Sequence, residues 1–312
     1  MSGTEGIPAV HGREDVKTAP AEVGVVGLGN MGLPMAGHLL AAGFGVRGYD
    51  VRPEAVGALA RAGGTPTASP AEAVAGAPVA VTSLPSVAAL QEVVGGEHGL
   101  ASAALDGLIL IETSTLPVAA KAEAAEALAR VGAVVLDCPL SGTASQMRAR
   151  DIAVYASGDR RAIKSARDVL AAFSRVQHEV GAFGNGMRMK LIANHLVAVH
   201  QTAAAEALLL ARRAGLDPAL ALRALSDGAG NSRMLEIRGP MMVEGDFSQA
   251  NIALEVFQKD IDLLGDLARG ARCPLPLFSA AAQLHLAAMA QGRLGEDPAC
   301  VFAVLEGMTT QR

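Results

Sequence analysis

A lysine and an asparagine stand four residues apart in the middle of the chain, at Lys190 and Asn194. Residues four apart share one face of an α-helix, so a group that can exchange a proton and an amide that can orient it would be presented together. Both follow Gly184-Asn185-Gly186, and because glycine is unfavourable inside a helix, Gly186 is predicted to mark the helix start. The pattern favours an acid–base site; two solvated side chains at a helix start are the alternative.

A second candidate site is a glycine-rich turn near the start of the sequence. Its G-x-G-x-x-G pattern follows a short apolar run, Val23–Val26, and precedes a helical pattern from Leu33 to Ala42. In that context the glycines permit a tight turn, a close approach of the backbone to a pyrophosphate, and packing of the helix on the strand. The helix N-terminus would then offer N–H groups to phosphate. The predicted cofactor-binding residues of this turn are Gly27, Leu28, Gly29, Asn30, Met31 and Gly32.

An acidic residue about 20 positions further on, Asp50, tests this interpretation. It ends a second predicted strand, where a carboxylate can accept hydrogen bonds from the adenosine ribose and repel a 2′-phosphate. NAD is therefore the predicted cofactor. Arg52 weakens the preference, because an arginine at this place could accept a 2′-phosphate, so NADP remains an alternative. Without a cofactor, Asp50 would be only a turn residue before Pro53.

The composition argues against several other functions. The chain has 312 residues, a formal net charge of -5 at pH 7 and 3% aromatic residues, which disfavours binding to nucleic acid by charge or by stacking. No apolar run has membrane-spanning length and no His or Cys pattern has metal-ligand spacing, so neither a membrane nor a metal is predicted. Scattered cysteines and a polar segment at 1–20, predicted to be a mobile tail, favour a cytoplasmic protein.

Strand and helix patterns alternate along the first half of the chain. This alternation predicts an α/β doubly wound, Rossmann-type domain over residues 21–185. Polar residues cluster where three predicted strands end, and loops at the carboxyl ends of parallel strands line the ligand crevice. These clusters lie at 82–86, 112–115 and 137–143, and the predicted strands are 23–26, 44–50, 79–83, 108–111, 133–136, 152–156 and 176–180.

Beyond residue 185 the sequence shows only helical patterns. A helix without proline or glycine from Met187 to Arg213 would be about 27 residues, or roughly 40 Å, long. An all-α domain over 186–312, opening with this interdomain helix, is therefore predicted. Its further helices are expected at 218–226, 254–268 and 277–291, with a less regular segment around Pro240 and Gly245.

Four motifs in this order resemble those of the β-hydroxyacid dehydrogenases, which include 3-hydroxyisobutyrate dehydrogenase and, more distantly, 6-phosphogluconate dehydrogenase. The resemblance covers nearly all of residues 21–306. The motifs are the glycine turn continued to Ala36, Asp137–Thr143, Gly186–Asn194 and the pair Lys259-Asp260. Residues 229–232, His200 and residues 274–277 are most similar to the L-threonate dehydrogenase branch.

The resemblance implies a role for each motif. It makes Lys190 the essential catalytic residue, with Asn194 beside it, and it implies a homodimer or homotetramer formed through the all-α part. Thr143 stands where the family usually has a second glycine, and His195 where an Asn or Gln is common. The residues expected to bind the substrate carboxylate are Ser141, Gly142 and Thr143, and those expected at the cofactor outside the glycine turn are Asp50, Arg52, Leu84, Pro85, Thr115 and Lys259.

The predicted reaction transfers a hydride between NAD and a small hydroxy acid resembling 3-hydroxyisobutyrate or L-threonate. Lys190 would take the hydroxyl proton as general base and return it in the reverse direction. Because a free lysine has a pKa of about 10.4, burial in the cleft must depress it. The alternatives are an NADP-dependent semialdehyde or imine reductase and a non-catalytic dinucleotide-binding module; the presence of Lys190 argues against both an imine reductase and the module. A core or interface role is predicted for His195, and the role of His200 is left open.

Overall fold

The computed structural model describes residues 21–250 and 252–309, so the predicted tail at 1–20 lies outside the described residues. Within them every strand precedes residue 180 and only helices follow. The strands are β1 (Glu22–Val26), β2 (Gly45–Tyr49), β3 (Thr65–Pro66), β4 (Val79–Thr82), β5 (Ile109–Glu112), β6 (Val134–Asp137), β7 (Leu140–Ser141), β8 (Ala153–Ala156) and β9 (Val176–Glu179). The helices are α1 (Gly32–Ala41), α2 (Pro53–Arg61), α3 (Pro70–Val74), α4 (Val87–Gly95), α5 (Val118–Ala129), α6 (Ala144–Arg148), α7 (Arg160–Ser165), α8 (Arg167–Phe173), α9 (Asn185–Arg213), α10 (Pro218–Ser226), α11 (Arg233–Glu244), α12 (Leu254–Gly270), α13 (Pro276–Ala290) and α14 (Val301–Thr309).

The main sheet has six parallel strands in the order β3-β2-β1-β4-β5-β6, with helices on both faces. Its central strands read as continuous apolar runs because both faces are covered, and every residue of β4 is buried. The strand order reverses between β1 and β4. Ligands of such sheets bind at the carboxyl ends of the strands beside this reversal, which is where Gly27 and Ser83 lie. The predicted α/β doubly wound class, followed by an all-helical part, is confirmed.

A second sheet of three strands, in the order β7-β8-β9, corrects the expectation that 152–156 and 176–180 continue the main sheet. β7 pairs antiparallel with β8, and β8 pairs parallel with β9. Only two residues separate β6 from β7, whereas a parallel neighbour in the same sheet requires a crossover of about a dozen residues or more. The chain therefore turns away after Asp137, and a single bridge between Asp137 and Ser157 joins the two sheets.

The segment around Pro240 is helix α11, so the prediction of a less regular segment is wrong. Proline inside a helix removes one backbone hydrogen bond and costs about 3 kcal/mol. Here the Ser232 hydroxyl caps the helix by accepting from the Leu235 N–H at 3.1 Å, and Leu235 and Met242 are buried in the core of the helical part. Capping and packing thus outweigh the local propensity.

Several shorter elements differ from the predictions or were not predicted. Residues 159–173, whose sequence pattern favours one continuous helix, form two helices, α7 and α8, which meet at Ala166. Strand β3 has two residues, too few to show a periodicity, and α2, α3 and α14 were not assigned from the sequence. None of the helices in the described residues is both long and apolar enough to cross a membrane.

Helix α9 has 29 residues and connects the two parts of the molecule. It begins after Gly184, which has a left-handed φ of 86°. Gly186 is the second residue of the helix, so it marks the helix start as predicted. Only glycine fits at this position, because a Cβ there would lie 2.5 Å from the carbonyl oxygens of Asp137 and Tyr155. The helix then packs through Met187 and Leu191 against α12 and α13, and further along against α11 and α14.

Candidate active site

One large cleft, of about 1710 Å³, lies between the strand ends of the α/β part and helices α9, α11 and α12. It brings together most residues that the sequence proposed for binding and catalysis. Leu28 and Gly32 do not line it, because Leu28 is buried and Gly32 packs on the backbone of Gly27. The predicted site residues that line the cleft are Gly27, Gly29, Asn30, Met31, Asp50, Arg52, Leu84, Pro85, Thr115, Ser141, Gly142, Thr143, Lys190, Asn194 and Lys259.

The three glycines of the turn differ in their surroundings. Gly27 has a φ of 91°, and a Cβ there would lie 2.2 Å from the Ser83 carbonyl oxygen. A Cβ on Gly32 would lie 1.8 Å from the carbonyl oxygen of Gly27. At Gly29 the nearest atom to a Cβ is 3.8 Å away, on the guanidinium of Arg52, so the second glycine keeps a backbone surface open to the cleft. This fits the approach of a pyrophosphate.

Helix α1 starts at this turn without a side-chain cap. Met31 occupies the N-cap position and makes no side-chain capping hydrogen bond, as is also the case for the N-cap residues of α2, α5, α8, α9, α12 and α13. The first N–H groups of a helix carry a partial positive charge and need partners. A phosphate group can supply them, so the turn fits a dinucleotide.

Asp50 is held in place by its neighbours. One carboxylate oxygen accepts the Leu28 N–H at 2.7 Å, and the other accepts the backbone N–H and the Nε of Arg52 at 2.9 and 3.0 Å. Partial burial opposes ionisation of Asp50, but the hydrogen bonds and charge of Arg52, with the Leu28 N–H, lower its pKa below the ordinary 3.8. Leu28 thus contributes to the site through its backbone, and the charge of Arg52 is engaged by Asp50.

The loop that carries Ser141 and Gly142 leads directly into α6. Thr143 caps this helix by accepting from the Gln146 N–H at 3.3 Å, and the Gln146 side chain accepts the Thr143 N–H at 3.0 Å. The threonine that departs from the family pattern therefore acts as a helix cap. Since its N–H is already engaged, Ser141 and Gly142 are better placed than Thr143 to contact a substrate carboxylate.

Lys190 and Asn194 are both buried at the floor of the cleft. Burial lowers the pKa of Lys190 below 10.5, Asp260 opposes this shift, and Lys259 adds to it. The Asn194 amide nitrogen donates to an Asp260 carboxylate oxygen at 2.8 Å, which fixes the amide beside the lysine. A lysine that readily loses its proton, next to an oriented amide, can exchange a proton with a bound ligand.

Asp260 is a residue that sequence reasoning missed, although its pair with Lys259 was noted. Burial raises the pKa of Asp260 even though Lys190, Lys259 and the Asn194 hydrogen bond lower it. A signal was available in the helical spacing. Asp260 belongs to the buried face of α12 with Phe257, Ile261 and Leu264, and a carboxylate on the apolar face of an amphipathic helix needs a partner.

The two histidines of α9 lie in different places. The ring of His195 is 6.1 Å from the ring of Phe278 in the helical part. His200 lines the cleft, as do Asn231, Ser232 and Arg233. Among residues 21–250 and 252–309, no group of three or more His, Cys, Asp or Glu side chains is placed to hold a metal ion.

Two family models match consecutive parts of the chain. Residues 22–189 match the NAD binding domain of 6-phosphogluconate dehydrogenase. Residues 184–305 match the NAD-binding domain of NADP-dependent 3-hydroxyisobutyrate dehydrogenase. The two matches overlap at the start of α9 and include both the glycine turn and the segment with Lys190.

Relatives match the chain over nearly its whole length. L-threonate dehydrogenase of Cupriavidus necator is 37% identical, over 92% of this chain and 96% of the relative. Mitochondrial 3-hydroxyisobutyrate dehydrogenase of Rattus norvegicus is 30% identical, over 96% of this chain and 90% of the relative. A crystal structure of 3-hydroxyisobutyrate dehydrogenase from Salmonella typhimurium superposes with a TM-score of 0.81 at 33% identity, covering 91% of this chain and 99% of that one.

The fold, the dinucleotide-type turn and these matches agree with one another. They confirm the resemblance seen in the four motifs and the prediction of a nicotinamide-linked enzyme. The chain belongs to the β-hydroxyacid dehydrogenases, oxidoreductases that act on the hydroxyl group of small hydroxy acids with NAD or NADP.

Proposed function

We propose that the chain oxidises a small polyhydroxylated acid of the L-threonate type with NAD, using Lys190 as general base. The observation that carries this proposal is the burial of Lys190, with its lowered pKa, in a cleft bounded by the glycine turn and the Ser141 loop. Asp50 supports NAD, because an ionised carboxylate that follows the second strand can accept hydrogen bonds from the adenosine ribose and would repel a 2′-phosphate.

The proton transfer follows from the surroundings of Lys190. Its neutral amine takes the proton of the substrate hydroxyl, and in the reverse direction its ammonium returns it. When bound, the nicotinamide supplies the hydride acceptor. Burial favours the neutral amine, and the nearby charge of Lys259 adds to this effect, while the charge of Asp260 opposes it. Asn194, held by Asp260, keeps the amine and the hydroxyl in line.

The lining of the cleft supports a polyhydroxylated acid. His200, Asn231, Ser232 and Arg233 line it together with Ser141 and Lys190. Ser232 already caps α11, Asn231 donates to Glu236 and Arg233 pairs with Asp151, so His200 is the side chain of this set that we propose to bind a substrate hydroxyl. A site built to bind substrate hydroxyls discriminates strongly against analogues that lack them. 3-Hydroxyisobutyrate has fewer hydroxyl groups than L-threonate and would leave such a contact unmade.

A substrate panel tests the proposed function. Turnover of L-threonate, 3-hydroxyisobutyrate, D-glycerate and 4-hydroxybutyrate would be measured with NAD and with NADP. We expect the highest kcat/KM with L-threonate and NAD. A tenfold preference for NADP, about 1.4 kcal/mol, would show that attraction of a 2′-phosphate by Arg52 outweighs its repulsion by Asp50. Reduction of a semialdehyde or an imine without oxidation of any hydroxy acid would instead favour the reductase alternatives, and no turnover at all would favour a non-catalytic module.

Ser141 is proposed to anchor the substrate carboxylate, and Ser141→Ala tests this. Loss of a hydrogen bond to a charged group costs about 1.5–3 kcal/mol, so KM for the acid should rise by roughly 10- to 100-fold. The dissociation constant of NAD should not change, since Ser141 is not among the residues proposed to bind it. Thr143→Ala is the comparison and should have the smaller effect. If only the Thr143 variant raises KM, the carboxylate is held by that residue.

Self-association through the helical part is also proposed. Met189, Ile192 and Leu196 follow one another at helical spacing on α9, and Ile192 and Leu196 are 51% and 50% exposed. Apolar side chains grouped on one helix face favour burial against a second copy. Sedimentation velocity at micromolar concentration should show a dimer or tetramer, and Ile192→Glu should shift it toward monomer. A wild-type monomer would contradict this proposal.

The cysteines support our proposal of a cytoplasmic location. Cys138, Cys273 and Cys300 are all free. Burial raises the pKa of Cys138 and of Cys300, so both are unreactive thiols at neutral pH. Unpaired cysteines are typical of proteins that work in a reducing compartment.

A further inference from the structure

A fully buried lysine lies between two carboxylates below the cleft. Lys121 of α5 is completely enclosed, and its ammonium contacts Asp137 Oδ1 at 2.5 Å, Glu112 Oε2 at 2.7 Å and the Ser114 carbonyl oxygen at 2.9 Å. The ammonium donates hydrogen bonds to Asp137 and to the Ser114 carbonyl oxygen, and its contact with Glu112 is an ion pair. Burial alone would lower the pKa of Lys121, but the two carboxylates raise it above 10.5, so the side chain is charged.

The second carboxylate oxygen of Asp137 reaches the start of α9. Asp137 Oδ2 accepts the Met187 N–H at 2.8 Å and the Ser157 hydroxyl at 3.2 Å. The Ser157 hydroxyl oxygen in turn accepts the Gly186 N–H at 2.9 Å. Two N–H groups of the first turn of α9 are therefore bound by side chains of the α/β part, at the point where Gly186 packs against backbone carbonyls.

The charges of the cluster match this position. One ammonium and two carboxylates leave a formal charge of -1, and the N-terminus of a helix carries about half a positive charge. Stability alone does not account for such a cluster, because replacing a buried ion pair by apolar residues is often neutral or stabilising. Buried ionic groups instead specify one arrangement of the elements that they join, and here these elements are β5, β6, α5 and α9.

We propose that Asp137, held by Lys121, is a positioning residue of the dehydrogenase reaction. It fixes the first turn of α9 on the sheet, and Lys190 lies on the next turn, three residues after Met187. Asp137 also ends the strand that leads to Ser141, so one carboxylate sets the register between the proton-transfer group and the substrate loop. This inference rests on the proposed role of Lys190.

Two isosteric substitutions in the same cluster test the inference. Asp137→Asn and Glu112→Gln each remove one negative charge from the surroundings of Lys121, but only Asp137 contacts α9. Because a misplacement of about 1 Å can cost about 10²-fold in rate, kcat of Asp137→Asn should fall by about 10- to 100-fold. The dissociation constant of NAD should not change, and the primary deuterium isotope effect on kcat should rise as hydride transfer becomes rate-limiting. Glu112→Gln should keep kcat within about threefold of wild type, because the α9 contact remains.

Ser157→Ala keeps the test decisive if Asp137→Asn does not fold. It leaves the ion cluster intact and removes the partner of the Gly186 N–H, a loss of about 0.5–1.5 kcal/mol, so kcat should fall by about two- to tenfold. Equal losses of kcat in Asp137→Asn and Glu112→Gln, or wild-type kcat in Ser157→Ala, would overturn the inference. The turnover of Lys190→Ala is measured in the same assays. If Lys190→Ala keeps its turnover, the proposed function is wrong. If Lys190→Ala is inactive while Asp137→Asn and Ser157→Ala keep wild-type kcat, only the positioning role of Asp137 is wrong.

Discussion

Replacement of Lys190 with alanine is expected to lower kcat by about 10²–10⁴, the usual contribution of a positioned acid–base group. The cofactor site should be unaffected, because the glycine turn and Asp50 are built by the α/β part without contact to Lys190. The fold should also survive, since burial opposes the ionisation of Lys190 and removal of the side chain relieves this desolvation cost. Steady-state kinetics with a saturating hydroxy acid, and isothermal titration with NAD, measure the two effects separately.

The pH dependence gives the same prediction a second readout. Since burial lowers the pKa of Lys190, the reactive neutral amine forms below the ordinary lysine range, and kcat/KM should rise with pH through this lowered pKa. The rise should disappear in Lys190→Ala. Lys190→Arg should not restore it, because a guanidinium stays protonated and cannot act as a base.

The exposed Lys164 of α7 provides a matched control. Lys164→Ala removes the same group from the surface and should leave kcat and its pH profile unchanged. If Lys190→Ala keeps more than about half of the wild-type turnover when the chemical step limits the rate, Lys190 does not provide the contribution expected of a general base.

Substitution of Gly29 with alanine is expected to raise the dissociation constant of NAD by tenfold or more, at least about 1.4 kcal/mol. The new methyl group meets no protein atom closer than 3.8 Å, so the free enzyme should fold with an unchanged Tm. The same methyl group would occupy the backbone surface that a pyrophosphate approaches. Isothermal titration with NAD and thermal unfolding without it measure the two quantities.

Two other glycines provide the controls for Gly29. A Cβ on Gly37 of α1 has no neighbour within 4 Å, so Gly37→Ala should leave NAD affinity unchanged and stabilise the helix slightly. A Cβ on Gly32 would collide with the Gly27 carbonyl oxygen, so Gly32→Ala should lower Tm even without cofactor. Unchanged NAD affinity in Gly29→Ala would show that the pyrophosphate does not approach this glycine.

The sequence was most informative where the physical signal is local. The strand–turn–helix context of the glycine turn could be predicted because Gly27 and Gly32 each meet a steric requirement of neighbouring residues, whereas Gly29 leaves its backbone open to the cleft. Lys190 and Asn194 were paired by helical spacing alone, and the structure places both at the floor of the cleft with the Ser141 loop. The catalytic and binding roles of these residues stay predictions until the variants are measured.

The parts that were missed depend on contacts between distant residues. Lys121 lies in a helix with Glu123 and Glu126, so the sequence alone suggests a charged residue on the surface. In the structure it is buried between Glu112 of β5 and Asp137 of β6. The course of α11 through Pro240 is decided by packing and not by propensity. The second sheet follows from a turn of two residues between β6 and β7, which leaves no periodic trace in the sequence.

Because α9 is attached to the α/β part at its first turn, a tilt of this helix would have its centre of rotation close to Lys190. Lys190 is about 7.5 Å along the axis from the first residue, whereas the last turn is about 42 Å away. A tilt of about 3° would move the far end by about 2 Å, the level of His200 by about 1 Å and Lys190 by only about 0.4 Å. Substitutions in the helical part can therefore shift His200 while Lys190, the proposed proton-transfer group, stays almost still. With the proposed roles of these two residues, substrate preference and proton transfer can change independently during evolution, although one helix carries both residues.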